Sequence, residues 1–157
     1  MSNEDALSVN EPVSVESLIL ANHVEQVNGL LYISGGGWTD HHRRIITGGP
    51  PPLSHLGIAL VIAVPWHETN RQHSVSIELR HEDAEEALVG LNATFNVGRP
   101  PTLRPGGIQY PTIALPMDII FPSAGGYSIV VRIDDRSDSK RHWVFQVHDI
   151  EQMALSA

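Results

Sequence analysis

From residue 18 to residue 147 apolar side chains recur mostly at every second position, the spacing that places them on one face of a β-strand. Val75, Ile77 and Leu79 alternate with Ser76, Glu78 and Arg80. Leu91, Ala93, Phe95 and Val97 alternate with Asn92, Thr94, Asn96 and Gly98. Three further apolar files follow, from Ile113 to Phe121, from Tyr127 to Ile133 and from Trp143 to Val147. Leu18 to Val27 and Leu30 to Ser34 flank Asn28-Gly29, a dipeptide suited to a two-residue hairpin because both residues tolerate positive φ. Leu56 to Trp66 has an uninterrupted apolar middle, as expected of a central strand covered on both faces. Only Glu82 to Val89 has a helical look, and it is two turns at most. The pattern predicts an all-β fold of about eight strands, an antiparallel β-sandwich of immunoglobulin-like architecture, with a barrel as the alternative.

Two connections are long, Gly35 to His55 and Gly98 to Pro111, and loops of that length are often functional. A short edge strand at Arg43 to Thr47 would break the first. The expected organisation is a flexible acidic arm over 1–16, one sandwich domain over 17–150 and a flexible tail over 151–157.

At 157 residues the chain is long enough for one well-buried domain. It has no cysteine, which removes disulfides, thiolate metal sites and cysteine nucleophiles. The net charge of −8 disfavours nucleic acid as a partner, although nine histidines, if all protonated, would bring it to +1. No apolar run is long enough for a membrane-spanning helix, and the first residues lack the basic and apolar regions of a signal peptide. A cytoplasmic setting is the expectation.

The stretch ANHVEQVNGLLYISGGGWT, Ala21 to Thr39, resembles the opening of a family of uncharacterised, mostly actinobacterial proteins that look like small β-sandwich domains. The resemblance continues through Val64-Pro65-Trp66, Glu78-Leu79, Gly98-Arg99-Pro100-Pro101 and Gly126-Tyr127. It implies the fold and a bacterial source, and it brings no activity.

Several constellations could carry chemistry. If Trp66 to His73 turns a hairpin centred on Asn70, His67 faces His73 across it. The two imidazoles, completed by Glu68, could then chelate a divalent metal. Asp40, His41 and His42 follow Trp38 in the long loop, where neighbouring histidines in extended backbone point to opposite faces. Trp38, Asp40 and His41, with Arg43, Arg44, Arg99 and Arg104, are the candidate ligand-binding residues; the four arginines would form a basic patch for a carboxylate, a phosphate or an acidic protein if the two long loops share one end. No nucleophile-elbow motif is present. With a single lysine in the chain, strand edges are poorly protected against pairing, which predicts a homodimer. The sequence therefore reads as a non-catalytic binding or assembly module. The alternative is a small metal-dependent enzyme or metal-binding protein using the 67–73 segment and the 40–42 loop.

Overall fold

The computed structural model describes residues 11–152. Ten strands run in the order β1 (Ser14–Val27), β2 (Leu30–Gly36), β3 (Asp40–Ile46), β4 (Ser54–Pro65), β5 (Gln72–His81), β6 (Val89–Asn96), β7 (Ile108–Gln109), β8 (Thr112–Ile119), β9 (Gly125–Ile133) and β10 (Arg141–Gln152). They form two five-stranded sheets. The first has the order β2-β1-β4-β7, with β8 also paired to β4; the second has the order β3-β10-β9-β5-β6. The inner faces meet in one apolar core.

β4 organises the first sheet. Leu56, Ile58, Leu60, Ile62 and Val64 point into the core, while Ala59 sits in a small cluster on the outer face with Ala21 and Val24. That outer face is covered because the β1–β2 hairpin curls back across it. β1 passes over Gly57 so closely that a Cβ there would lie 2.7 Å from Val24. Beyond that crossing, the Gln26 amide donates to Thr112 at 2.7 Å. The uninterrupted apolar middle of β4 is thus buried on both faces, as its sequence requires. The hairpin closes at Asn28-Gly29, whose φ values of 52° and 76° are those of the expected turn.

Several expectations need correction. The described residues form ten strands rather than about eight, and the pairing is not wholly antiparallel, because β3 runs parallel to β10. A third of the first long loop, Asp40–Ile46, is therefore ordered as β3. Glu82 to Leu88 forms no helix; it is the turn of the β5–β6 hairpin, tied by Leu88 N–H donating to the Leu79 carbonyl at 2.7 Å. A two-turn helix without a packing face lacks the bonds to offset its nucleation cost. The structured domain also begins before residue 17: Val13 and Val15 are core residues, and β1 starts at Ser14. At the other end β10 continues through Gln152. The remainder of the expected arm and tail, 1–10 and 153–157, lies outside the described residues.

The two long sides of this sandwich-like body differ. On one, the chain crosses from β2 to β3 through Trp38, whose ring meets Phe145 edge-on at 5.6 Å. Phe121, Tyr127 and Phe145 pack behind it. On the other, β8 and β6 do not close over the core. A cleft of about 200 Å³ remains, lined by Val75, Ile77, Leu91, Ala93, Ile113 and Leu115.

Candidate functional site

The segment proposed to bring His67 and His73 together is not a hairpin. Both edges of β4 are taken, by β1 on one side and by β8 and β7 on the other, so β5 joins the second sheet. The connection crosses between sheets through a 3-10 turn at Trp66–Glu68, and the cross-strand partner of His73 is Phe95. His67 and His73 each approach the Glu68 carboxylate, at 3.7 and 3.8 Å.

His73 has no lone pair to give a metal. It is buried, its Nδ1 donates to Asp134 Oδ2 at 2.8 Å, and its Nε2 donates to the Glu68 carbonyl at 2.9 Å. Both partners only accept, so both ring nitrogens carry protons. Burial alone would lower its pKa, but the bonds to the Glu68 carbonyl and Asp134 outweigh it and the net direction is up. Asp134 moves the opposite way. Its desolvation is outweighed by the bonds from His73 and from the Ser74 N–H, and its pKa is lowered. Among the described residues no group of three His, Asp or Glu side chains is arranged to hold an ion.

The residues around Trp38 do come together. Asn22, Gly35 to Gly37, Trp38, Asp40, His41 and His42 line a shallow open groove of about 580 Å³. Because 40–46 is a strand, His41 and His42 point to opposite faces as expected. His41 turns inward, 5.5 Å from the Trp38 ring and 6.0 Å from Phe121, with Nε2 3.0 Å from Ser54 Oγ. Burial first, then the nearby Arg43 charge, lowers its pKa. His42 turns outward and stacks on His148 at 4.8 Å, while His148 Nε2 bonds Asp40 at 2.7 Å. That bond, with a second from Thr39, lowers the pKa of Asp40. Trp38 Nε1 is buried and has no acceptor among the described residues.

The four arginines form no common patch. Arg43 is buried, with Nε 2.5 Å from Asp149 and Nη1 donating to the Phe121 carbonyl. Arg99 lies 3.5 Å over the Trp66 ring and donates to Thr69 Oγ1 at 2.8 Å. Phe121 follows the end of β8 that pairs with Ser54, whereas Trp66 follows Pro65, so the two sites sit at opposite ends of β4, about 35 Å apart. Arg44 and Arg104 are exposed.

One cluster was missed by sequence reasoning. On the outer face of the first sheet His23 Nδ1 lies 2.8 Å from His55 Nε2, and each ring is held from behind by a carboxylate: Glu25 on His23 Nε2 at 3.1 Å and Asp118 on His55 Nδ1 at 2.7 Å. His55 and Asp118 are register partners of β4 and β8. His23, His55 and Asp118 are distant in sequence, and only the pairing of β1, β4 and β8 assembles them.

No helix among the described residues is long and apolar enough to cross a membrane. No curated protein matches the chain. The sequence profile of DUF6941, a family of unknown function, matches residues 16–146, and the chain belongs to that family.

Proposed function

We propose that this domain is a non-catalytic binding and assembly module of immunoglobulin-like architecture, acting in a bacterial cytoplasm and pairing with a second copy of itself through β6. The observation that carries the reading is the open side of the body. β6 is a sheet edge whose residues Val89–Asn96 include no charge, and its inner face gives onto the apolar cleft between the sheets. A second copy brings the same net charge of −8, so two copies meet with least repulsion where charge is absent. An antiparallel strand edge is also complementary to itself about a two-fold axis. The immunoglobulin-like description draws support from strand order, with β1-β4-β8 facing β10-β9-β5-β6. It also draws support from Tyr127, near the start of β9, whose hydroxyl donates back to the Ser123 carbonyl at 2.7 Å.

Sedimentation equilibrium over low to high micromolar concentration tests the pairing. The wild type is expected to dimerise, Leu91→Lys to remain monomeric with its fold intact, and Tyr32→Lys, on the uncharged edge β2, to dimerise as the wild type does. A wild-type monomer throughout, or a dimer broken by the β2 variant and not by the β6 variant, contradicts the proposal.

The orphan Trp38 Nε1 favours a second, compatible reading, in which the groove at Trp38, Asp40 and His41 takes a small acceptor-bearing ligand. Titration with small carboxylates or inorganic phosphate, followed through the Trp38 indole N–H resonance, is expected to shift that signal. An unmoved signal removes the reading.

A further inference from the structure

The pair His23 and His55 is organised differently from every other histidine contact described above. The Glu25 and Asp118 carboxylates can only accept, so the ring nitrogens they hold, His23 Nε2 and His55 Nδ1, are the protonated ones. The other two nitrogens, His23 Nδ1 and His55 Nε2, then face each other 2.8 Å apart. Two lone pairs so placed need either a shared proton or a cation between them. A carboxylate holding the far nitrogen of each imidazole is the support that metal-bound histidines generally have, because it fixes the tautomer and the ring plane and makes the near nitrogen a better donor.

We propose that His23 Nδ1 and His55 Nε2 form a binding site for a divalent transition ion of the zinc or copper type, with Glu25 and Asp118 orienting the two rings and water completing the coordination. Imidazole suits such ions. On a tetrahedral zinc with bonds of about 2.0–2.1 Å, two nitrogens stand about 3.3–3.4 Å apart. The pair must therefore open by roughly 0.5 Å, which the exposure of both rings permits, their side chains being 40% and 45% accessible. Both rings stand on a rigid support. His55 is paired through β4 to β8, and His23 lies in the part of β1 anchored where the hairpin crosses Gly57. The exposed His42–His148 pair lacks this arrangement. Its rings lie at 19° to each other, much as those of His23 and His55 do at 28°, but their nitrogens form no contact with each other, and the one ring nitrogen held by a carboxylate is His148 Nε2, bonded to Asp40.

The inference is independent of the assembly reading, and its test uses the untagged full chain. Calorimetric titration with zinc chloride is expected to show one ion per chain. Long-range ¹H–¹⁵N spectra of the imidazoles should place the bound ion on Nδ1 of His23 and Nε2 of His55. His23→Ala and His55→Ala are expected to abolish binding, and Glu25→Gln or Asp118→Asn to weaken it about 10–100-fold. His148→Ala is expected to bind as the wild type does. All of these side chains are exposed, so circular dichroism should show each variant folded. Absence of binding at millimolar zinc, binding that survives both alanine substitutions, or binding lost with His148→Ala overturns the site.

Discussion

The two long sides of the molecule are built from opposite materials. The side at Trp38 is filled with large rings and a paired buried charge: Trp38, Phe121 and Phe145 pack edge-on, and Arg43 is answered by Asp149, with Trp38 Nε1 the one buried polar atom left without a partner among the described residues. The cleft between β6 and β8 is lined instead by aliphatic side chains and Asn92, with no ring and no charge. Leu91 is 38% exposed, and the cleft beside it reaches core residues Val75 and Ile77. The contrast separates two uses of apolar surface. At Trp38 the chain completes its own core, whereas at β6 it leaves an edge that a second chain can complete.

The largest expected effects lie on the closed side. Phe121→Ala removes a fully buried ring that touches Tyr127 and Phe145, and should cost about 3–5 kcal/mol in denaturant unfolding. Leu91→Ala, on the open side, should cost about 1 kcal/mol or less in the monomer, since an exposed side chain has little burial to lose. Similar costs for the two would erase the contrast.

Arg43→Ala should rank next. It strips a buried partner from Asp149 and from the Phe121 carbonyl, at a cost of about 2–4 kcal/mol, short of a fully buried pair because Asp149 retains 28% side-chain exposure. Replacing both partners, with Arg43→Met and Asp149→Leu, should recover most of the loss.

The two inward-facing histidines, His41 at Trp38 and His73 beside β6, should respond to pH with opposite sign. The pKa of His41 is lowered, so the native state binds fewer protons than the unfolded chain, and stability falls as pH drops below about 6.5. His41→Gln should flatten that acid limb in thermal melts. The pKa of His73 is raised, so its contribution is fully present below about 6.5 and is lost as pH rises through the native value. Asp134→Asn keeps an acceptor for the Ser74 N–H but removes the charge facing His73. Its destabilisation should be greatest near pH 6 and shrink toward alkaline pH. A constant penalty across that range would contradict the charged state assigned to His73.

The smallest effect concerns the turn that holds Asp134. Asp134 and Asp135 both have positive φ, of 52° and 55°. Asp135→Gly relieves that cost at a residue with no assigned partner, and should stabilise by about 0.5 kcal/mol or less, readable as a small rise in Tm.

Where local chemistry decides the structure, the sequence reads correctly. Asn28-Gly29 makes its turn, the apolar middle of β4 is buried on both faces, and Val75, Ile77 and Leu79 face inward. Long-range competition accounts for the misses. Nothing in residues 66–73 announces that both edges of β4 are already occupied, and consecutive strands pair often enough that a hairpin is the natural reading. Phe95 and Leu91 obey perfect alternation, yet they sit on an edge with nothing beyond it and remain half-buried and exposed. Arg43 reads as a surface charge because Asp149 and Phe121, its partners, lie far along the chain. The Trp38 groove was partly legible from Trp38, Asp40 and His41, whereas the His23–His55 pair depends on a register that no local pattern encodes.

Amide hydrogen exchange at two protein concentrations tests the central claim most directly. If β6 is completed by a second copy, amides of Val89 to Asn96 should gain protection as concentration rises from low to high micromolar, while those of Leu30 to Gly36 and Asp40 to Ile46 stay unchanged. Exchange in β6 that is independent of concentration, or protection that grows in β2 or β3 instead, would contradict it.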